Sequence, residues 1–315
     1  MRERSKRKTS VFNQKTMFLG YAHSSCSNFK NKFIVSEIPA EITPPSIDTT
    51  PLETEKLSYL KWGILGVLMM STGWMIGDML FSKPSIAPIV PQKGAYTMTY
   101  QDLSFDIYTV PMSQNSLKLF CTDAQKVPFR DVKTLRGYVE NAHQKLVFAM
   151  NAGMYTLENL PKGLYIEQKQ TLVPLDTADK GFGNFYLQPN GVFAFDDTSA
   201  VILATNTFKQ QSKNYNYATQ SGPLLVTNGV ANPVFTPDSK SLYIRNGVGI
   251  TRSGKIIFAI SNQPVNFYVF ADLFKTQLHC PNALFLDGAI SKMYAPDINR
   301  FDTDGNLGPF VVLLK

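Results

Sequence analysis

The chain has 315 residues, enough for one large or two ordinary domains, and its 44% hydrophobic and 17% charged residues are typical of a globular protein with some extra apolar sequence. Its formal net charge is +7, and the densest basic cluster, Arg2–Lys8, lies at the start of the chain. No zinc-ligand spacing, basic helix or base-stacking motif accompanies this charge, which argues against a nucleic acid partner.

Residues Trp62–Phe81 predict one transmembrane helix. The only charged residue in this segment is Asp78, near its far end. A helix of about 20 apolar residues rises roughly 30 Å, which matches the hydrocarbon core of a bilayer. A cleaved signal peptide is disfavoured because the segment begins at residue 62 and lacks a small-residue cleavage site. We therefore expect an uncleaved single span in contact with membrane lipid.

The residues on either side of this span predict its orientation. Residues 1–61 hold ten Lys and Arg residues against six Asp and Glu residues, and their composition predicts a basic disordered tail. The positive-inside rule places this tail in the cytoplasm and the C-terminal part in the periplasm or outside the cell. Residues 82–93 contain K-P-S-I-A-P-I-V-P-Q and predict an extended proline-rich linker. The expected location is the inner or plasma membrane, with one folded domain at 94–315.

Most of the folded part is predicted to be β-strand, because short apolar stretches alternate with turn residues. Helical spacing occurs in Asp131–Gln144 and Asn266–Leu278, and Asn266 suits an N-cap. The predicted strands are Tyr96–Val110, Leu117–Thr122, Lys145–Asn151, Gly163–Glu167, Asn184–Leu187, Gly191–Phe195, Ala200–Ala204, Ala218–Thr227, Ser241–Thr251, Lys255–Ser261 and Ala283–Leu286. This order predicts an α+β domain with a large, mainly antiparallel β-sheet and a few helices.

The cysteine and histidine residues indicate little about function. Cys121 and Cys280 could form a disulfide outside the cytoplasm, but their apolar neighbours favour buried thiols. His23, His143 and His279 show neither metal-ligand nor catalytic-triad spacing. No cofactor or metal ligand is predicted, and a requirement for a divalent metal stays open.

Four segments share one design, an apolar strand that ends in small and polar residues. They are Phe148–Tyr155, Gln220–Val226, Arg245–Ile250 and Leu286–Ser291. The last lies within Asn282–Ser291, which reads N-A-L-F-L-D-G-A-I-S. Each one alone is more often a structural turn, as an Asp-Gly pair commonly is. Together their amide, hydroxyl, guanidinium and carboxylate groups suit a ligand that has hydroxyls and an anion. Arg245 could hold a phosphate through two parallel hydrogen bonds.

Taken in this order, the four segments resemble the phosphodiester glycosidase family, which includes the lysosomal uncovering enzyme. Family patterns similar to N-G-G-F/Y, S-G-P-x-L-V, R-x-A-x-G and L-D-G-G-x-S line up with Asn151–Tyr155, Ser221–Val226, Arg245–Gly249 and Leu286–Ser291. The resemblance covers roughly Tyr96–Lys315 and is closest to a bacterial branch whose substrate is unassigned. It implies hydrolysis of a sugar-1-phosphodiester, which releases the sugar and leaves a phosphomonoester.

The resemblance also implies a role for each matching residue. Asp287 is expected to act as base or nucleophile, Arg245 as the phosphate clamp, and Asn151 as a third active-site residue that orients substrate oxygens. The residues expected to bind substrate are Gly153, Tyr155, Gln220, Ser221, Gly222, Asn246, Gly249, Gly288 and Ser291.

Two departures from the family pattern limit this inference. Ala152 and Ala289 stand where many members have glycine, and each added methyl could narrow a pocket. The substrate of the lysosomal enzyme is therefore not transferred to this chain. Glu167, Asp176 and Asp272 are other candidate carboxylates that spacing alone does not rank.

Two hypotheses follow for the function. The first is a membrane-anchored hydrolase of sugar-1-phosphodiester linkages in envelope or exported polysaccharide. The second is a membrane-tethered carbohydrate-binding module that kept the pocket and lost turnover. The pairing of Asp287 with Arg245 favours the enzyme, whereas the altered glycines leave room for the binding module.

Overall fold

The computed structural model describes residues 94–110, 116–211, 213–287 and 290–315. The predicted tail, transmembrane helix and linker lie outside these ranges, so they stay predictions. Within the described ranges, no helix has both the length and the apolar character needed to cross a membrane.

The described residues form short strands with few helices. The strands are β1 Gly94–Tyr100, β2 Leu103–Val110, β3 Leu117–Phe120, β4 Leu146–Asn151, β5 Tyr165–Glu167, β6 Gln170–Val173, β7 Gly191–Phe195, β8 Ala200–Ala204, β9 Tyr217–Ser221, β10 Leu224–Thr227, β11 Val230–Ala231, β12 Asn246–Ile250, β13 Ile256–Ser261, β14 Asn282–Asp287, β15 Met293–Ala295, β16 Arg300–Phe301 and β17 Phe310–Leu314. The α-helices are α1 Val132–Asn141, α2 Thr205–Phe208 and α3 Phe267–Asp272, and the shorter helical turns are Asn184–Tyr186, Leu273–Gln277 and Pro296–Ile298.

These strands form three antiparallel sheets around a shared core. The first sheet has the order β1-β2-β13-β12-β14-β10-β11, the second β16-β15-β4-β17-β3 and the third β6-β5-β9-β7-β8. One ring from each sheet meets in the centre: Phe258 lies 5.2 Å from Phe148 and 6.1 Å from Phe193, measured between ring centroids. The predicted α+β class and antiparallel pairing are confirmed, but the strands divide among three sheets instead of forming one large sheet.

Two helices cover the outer faces of the first two sheets. Helix α1 buries Val132, Leu135 and Val139 against the second sheet, where each buried side chain contributes about 1.5–3 kcal/mol. The outer face of the first sheet is covered by α3, whose N-cap Asn266 accepts a hydrogen bond from the backbone N–H of Val269. Both predicted helices are confirmed, although the second continues beyond α3 as a π-helical turn.

Several predicted strand boundaries are wrong. Tyr96–Val110 is a hairpin, because Gln101 and Asp102 adopt positive φ angles of 49° and 59° and turn the chain. Asn184–Leu187 contains a 3₁₀ turn in place of a strand. Ala218–Thr227 is interrupted at Gly222–Pro223, which separates β9 from β10.

Strand β17 went unpredicted although its sequence, F-V-V-L-L, is a short apolar run of the kind that predicts a buried strand. It lies between β3 and β4 in the second sheet. The pairing of Phe310 with Asn151 aligns β17 with the end of β4.

Cys121 and Cys280 are both buried free thiols. Burial raises the pKa of Cys121 to about 12 and raises that of Cys280 as well. Neither thiol therefore ionises near neutral pH.

Candidate active site

The structure brings the four predicted segments together at one end of the sheets. Strands β4 and β14 end at Asn151 and Asp287, and β12 begins at Asn246. The Asn151 Nδ2 donates a hydrogen bond of 2.6 Å to Asp287 Oδ2, and the Asn246 Nδ2 donates one of 2.9 Å to Asn151 Oδ1. Strand β9 joins them through Ser221, whose Oγ donates to the carbonyl oxygen of Leu286 at 2.8 Å. We call Asn151, Asn246 and Asp287 the asparagine–aspartate cluster.

Asp287 is the last residue of a strand that is buried from Ala283 onward, and its own exposed fraction is 4%. Its backbone N–H donates to Asn246 Oδ1 at 3.0 Å. Because the strand core fixes the backbone and Asn151 holds the side chain, the carboxylate has a defined position. The alternative of an exposed Asp-Gly turn therefore does not describe Asp287, while the next residue, Gly288, lies outside the described residues.

Asn151 connects the cluster to the chain that follows β14. Its Nδ2 donates to Asp287 and to the carbonyl oxygen of Ile290, the latter at 2.8 Å. Its Oδ1 accepts from Asn246 and from the backbone N–H of Lys292. Two donors and two acceptor positions are the full capacity of an amide, so both ends of the Asn151 amide are occupied within the chain. Within the chain it holds the Asp287 side chain, and its expected role in orienting substrate oxygens stays a prediction.

Arg245, the expected phosphate clamp, already uses part of its guanidinium for hydrogen bonds within the chain. Its Nε donates to the carbonyl oxygen of Val265 at 2.8 Å, and its Nη2 donates to that of Ser241 at 2.8 Å. The guanidinium carbon lies 3.6 Å from the ring centroid of Phe267. One edge of the guanidinium is thus already occupied, and the side chain is fully buried. The physical reason is strand alternation: consecutive residues point to opposite faces, and Asn246 takes the position beside Asp287.

The guanidinium of Arg245 keeps one unsatisfied donor. Within the described ranges, its Nη1 is buried without a hydrogen-bond partner. Burial lowers the pKa of Arg245 to about 10, since the interior disfavours the charged form. The stacked ring of Phe267 offsets part of this cost.

Gln220 and Gly249, which were expected to bind substrate, contact neighbouring elements of the fold. The Gln220 amide bonds the backbone of Leu164 and Asp176 and the hydroxyl of Thr205, which occupies both of its ends. A Cβ at Gly249 would lie 2.7 Å from the sulfur of Cys280. Packing between elements therefore explains these residues without a ligand.

Gly153 and Gly222 are also close to neighbouring backbone and side chains. Gly153 has a φ of +135°, and a Cβ there would lie 2.6 Å from the Thr219 hydroxyl. A Cβ at Gly222 would lie 2.6 Å from the carbonyl oxygen of Phe185. These glycines allow the strand ends to approach one another.

Two further predicted residues lie beside the cluster. The Tyr155 hydroxyl donates to the carbonyl oxygen of Asn306 at 2.8 Å. Burial, and then the charge of Asp287, raise the pKa of Tyr155 to about 12, so its hydroxyl stays protonated at neutral pH. The Ser291 Oγ donates to the carbonyl oxygen of Ile244 at 3.0 Å, which holds the loop after β14 against the start of β12.

The sequence did not predict the ion pairs that anchor the start of β15, the strand that follows this loop. Asp302 Oδ2 accepts from the backbone N–H of Met293 at 3.1 Å and from Arg300 at 2.8 Å. Arg300 in turn donates to Asp106 at 2.7 Å. No sequence pattern links Asp106 to Arg300, because they meet only through the packing of the first sheet on the second.

The other candidate carboxylates are bound elsewhere. Glu167 accepts from the Tyr165 hydroxyl, and burial raises the pKa of this carboxyl. Asp176 accepts from Tyr186, and Asp272 accepts from Tyr100. Across the described part of the chain, no group of three or more His, Cys, Asp or Glu side chains is arranged to hold a metal ion.

Comparison with protein families gives this arrangement a context. The model of the family NAGPA, described as phosphodiester glycosidase, matches residues 144–312, more than half of the chain. This chain belongs to the phosphodiester glycosidase family. The match contains all four predicted segments, so the resemblance seen in the sequence is confirmed.

A bacterial protein and two solved structures are among those similar to this phosphodiester glycosidase. The uncharacterized protein YigE of Escherichia coli strain K12 is 39% identical over 192 residues, which cover 61% of this chain and 74% of YigE. The catalytic domain of zebrafish N-acetylglucosamine-1-phosphodiester alpha-N-acetylglucosaminidase, auto-inhibited by its pro-peptide, has a TM-score of 0.49 at 15% identity, covering 73% of this chain and 85% of that one. A hypothetical protein from Synechocystis has a TM-score of 0.42 at 13% identity, covering 70% of this chain and 61% of that one.

The protein is therefore a phosphodiester glycosidase-like hydrolase of phosphodiester sugar linkages. Glycoside hydrolysis needs a carboxylate that attacks the anomeric carbon or activates water. Asp287 is a buried carboxylate with a fixed position within the matched residues, which suits it to this task.

Proposed function

We propose that the chain is a membrane-anchored hydrolase that cleaves sugar-1-phosphodiester linkages in envelope or exported polysaccharide. The observation that supports this most directly is the Asp287 carboxylate, held 2.6 Å from the Asn151 amide at the end of a buried strand. The predicted span at Trp62–Phe81 would anchor the enzyme in the inner or plasma membrane. The domain at 94–315 would then act in the periplasm or outside the cell.

The chemistry requires one bond to form and one to break at the anomeric carbon. The oxygen of a water molecule bonds to this carbon, while the bond from the carbon to the phosphate oxygen breaks. The phosphate leaves with the bonding electrons as a phosphomonoester, which is a weak base and needs little protonation. Asp287 either accepts the proton of the water or first forms a covalent bond that water then hydrolyses.

The test uses the full-length chain and synthetic methyl diesters of hexose- and N-acetylhexosamine-1-phosphates, with free sugar as the readout. Asp287→Asn should lower kcat by about 100- to 10,000-fold, because it removes the carboxylate and keeps the side-chain volume. Asp197→Asn makes the same change at an exposed position and should leave kcat unchanged. Equal turnover by wild type and Asp287→Asn would refute the enzymatic role. Binding of a diester without turnover would instead indicate the carbohydrate-binding module.

The topology has a separate test. A reporter that is active only outside the cytoplasm, fused after Lys315, should be active in cells. A reporter that works only in the cytoplasm should be inactive at the same position. The opposite result would reverse the proposed orientation.

A further inference from the structure

Lys162 is a partly buried cation in the hairpin that follows β4, the strand that ends at Asn151 of the asparagine–aspartate cluster. Its backbone N–H donates to the carbonyl oxygen of Met154 at 3.0 Å, within the hairpin that follows β4. An antiparallel bridge between Tyr155 and Pro161 closes this hairpin. Tyr155 is the residue whose pKa the charge of Asp287 helps to raise. The hairpin therefore brings Lys162 to the end of the sheets at which Asp287 lies.

The residue that follows Lys162, Gly163, packs against Gln220 and Phe185. A Cβ at the adjacent Gly163 would lie 2.5 Å from Gln220 Oε1 and 2.6 Å from the ring of Phe185. A Cβ at Gly222 would lie 2.6 Å from the carbonyl oxygen of Phe185. Phe185 thus packs against both Gly163 and the Gln220–Gly222 segment. Lys162 borders two of the four segments that carry the family resemblance.

Aromatic rings hold the ammonium group without neutralising it. The Nζ of Lys162 lies 4.7 Å from the ring centroid of Tyr186 and 5.3 Å from that of Phe185. The Tyr186 hydroxyl donates to Asp176 at 2.9 Å, which fixes the ring. A cation over an aromatic face is attracted to it but keeps its full charge and its hydrogen-bond donors.

Two other cations at this end of the fold have partners, although the Nη1 of Arg245 has none within the described ranges. The Nζ of Lys292 pairs with Asp304 at 2.9 Å, and one edge of the Arg245 guanidinium binds backbone carbonyls. Within the described ranges, no carboxylate lies within ion-pair distance of the Lys162 ammonium. Lys162 therefore has a positive charge and three donors available for an anionic ligand.

We propose that Lys162 binds the phosphate group of the diester substrate. This inference rests on the proposed function, because a phosphodiester substrate needs a cation to bind its phosphate. The occupied edge of Arg245 cannot serve as that cation, and Lys162 can. A lysine acts on phosphate as a point charge on a flexible stem, so it can reach the diester while its stem stays against the rings.

The experiment compares two substrates of the same sugar on the full-length chain. One is the methyl phosphodiester, and the other is the uncharged 4-nitrophenyl glycoside. Lys162→Met should lower kcat/KM for the diester by about 10- to 100-fold, mainly through KM, because a charged hydrogen bond is lost. The same variant should change kcat/KM for the uncharged glycoside by less than about threefold. Lys162→Arg should restore most of the activity on the diester.

Lys145→Met is the matched control, because it removes one exposed positive charge just before β4, at the opposite end of that strand from Asn151. It should leave both substrates unaffected. Equal losses on both substrates with Lys162→Met, or no loss on the diester, would overturn the role of Lys162.

Binding separates this proposal from the hydrolase assignment. In the Asp287→Asn background, Lys162→Met should weaken binding of the methyl diester by about tenfold or more, measured by calorimetry. If wild type shows no turnover but binding still depends on Lys162, the hydrolase assignment fails and the phosphate role stands. If Lys162→Met leaves the affinity unchanged in this background, the phosphate role fails whatever the turnover.

Discussion

Arg245 and Asn246 are consecutive residues, yet they lie in environments of different kinds. The Nδ2 of Asn246 donates to the carbonyl oxygen and the Oδ1 of Asn151, and its Oδ1 accepts from the backbone of Asp287. Arg245 lies against the aromatic ring of Phe267, with one nitrogen lacking a partner in the described part of the chain. Both ends of the Asn246 amide are hydrogen-bonded, whereas the buried cation keeps one nitrogen without a partner in the described residues.

We infer from this difference that the polar network positions the carboxylate proposed to react, whereas Arg245 stabilises the fold. Every hydrogen bond of the asparagine–aspartate cluster helps to fix the Asp287 carboxylate. The hydrogen bonds of Arg245 connect the chain before β12 to the chain before α3, through Ser241 and Val265. Changes in the cluster should therefore affect catalysis first, and changes at Arg245 should affect stability first.

Among changes to the residues that surround Asp287, the largest effect is expected from Asn151→Ala. This variant leaves Asp287 and Asn246 without their amide partner and frees the loop after β14. We expect a loss of about 100-fold in kcat, because small displacements of reacting groups are costly. The free energy of unfolding should fall by about 1–3 kcal/mol, measured by urea denaturation.

Asn206→Ala is the control for this change, since Asn206 is exposed on α2. It should alter neither quantity by more than experimental error. If Asn151→Ala keeps full activity, the cluster does not position Asp287.

A smaller effect on activity is expected from Arg245→Met, which keeps the side-chain length and removes the charge. The lost bonds to Val265 and Ser241 should lower the free energy of unfolding by about 1–3 kcal/mol. The ratio of kcat/KM for the diester to that for the uncharged glycoside should stay the same. A selective loss on the diester would show that Arg245 does bind phosphate and would remove the contrast with Asn246.

The smallest effect is expected from Tyr155→Phe, which removes the hydrogen bond to Asn306 and should cost about 1 kcal/mol in stability. The pKa of Tyr155 is raised from 10.0 to about 12, so the folded state keeps a proton that the unfolded state loses. The stability that the protonated Tyr155 hydroxyl contributes is complete below pH 10 and is lost as the pH rises toward 12.

Denaturation of wild type and Tyr155→Phe across this pH range measures the effect. The difference between their unfolding free energies should stay constant up to about pH 10 and then shrink. A difference that grows above pH 10 would contradict the raised pKa.

The helices and most core strands followed from local pattern alone. The spacing of Val132, Leu135, Val139 and Ala142 predicted one apolar helical face, and all but the exposed Ala142 are buried. Asn266 was correctly identified as an N-cap. The strands Gly191–Phe195 and Ala200–Ala204 have the predicted bounds. The division into three sheets was not predictable, because the sequence of a strand does not state its partner.

The sequence by itself predicted that apolar strands end at Asn151 and Asp287, because small and polar residues follow the apolar run in both places, whereas the end of β9 at Ser221 was not predicted. Only the tertiary structure decided whether Arg245 or Asn246 would face the carboxylate. Strand alternation requires the two side chains to point apart but does not specify which face becomes the site. The irregular pairing of β12 with β14 between Asn246 and Gly247 made that choice, since a shift of one residue exchanges the two faces.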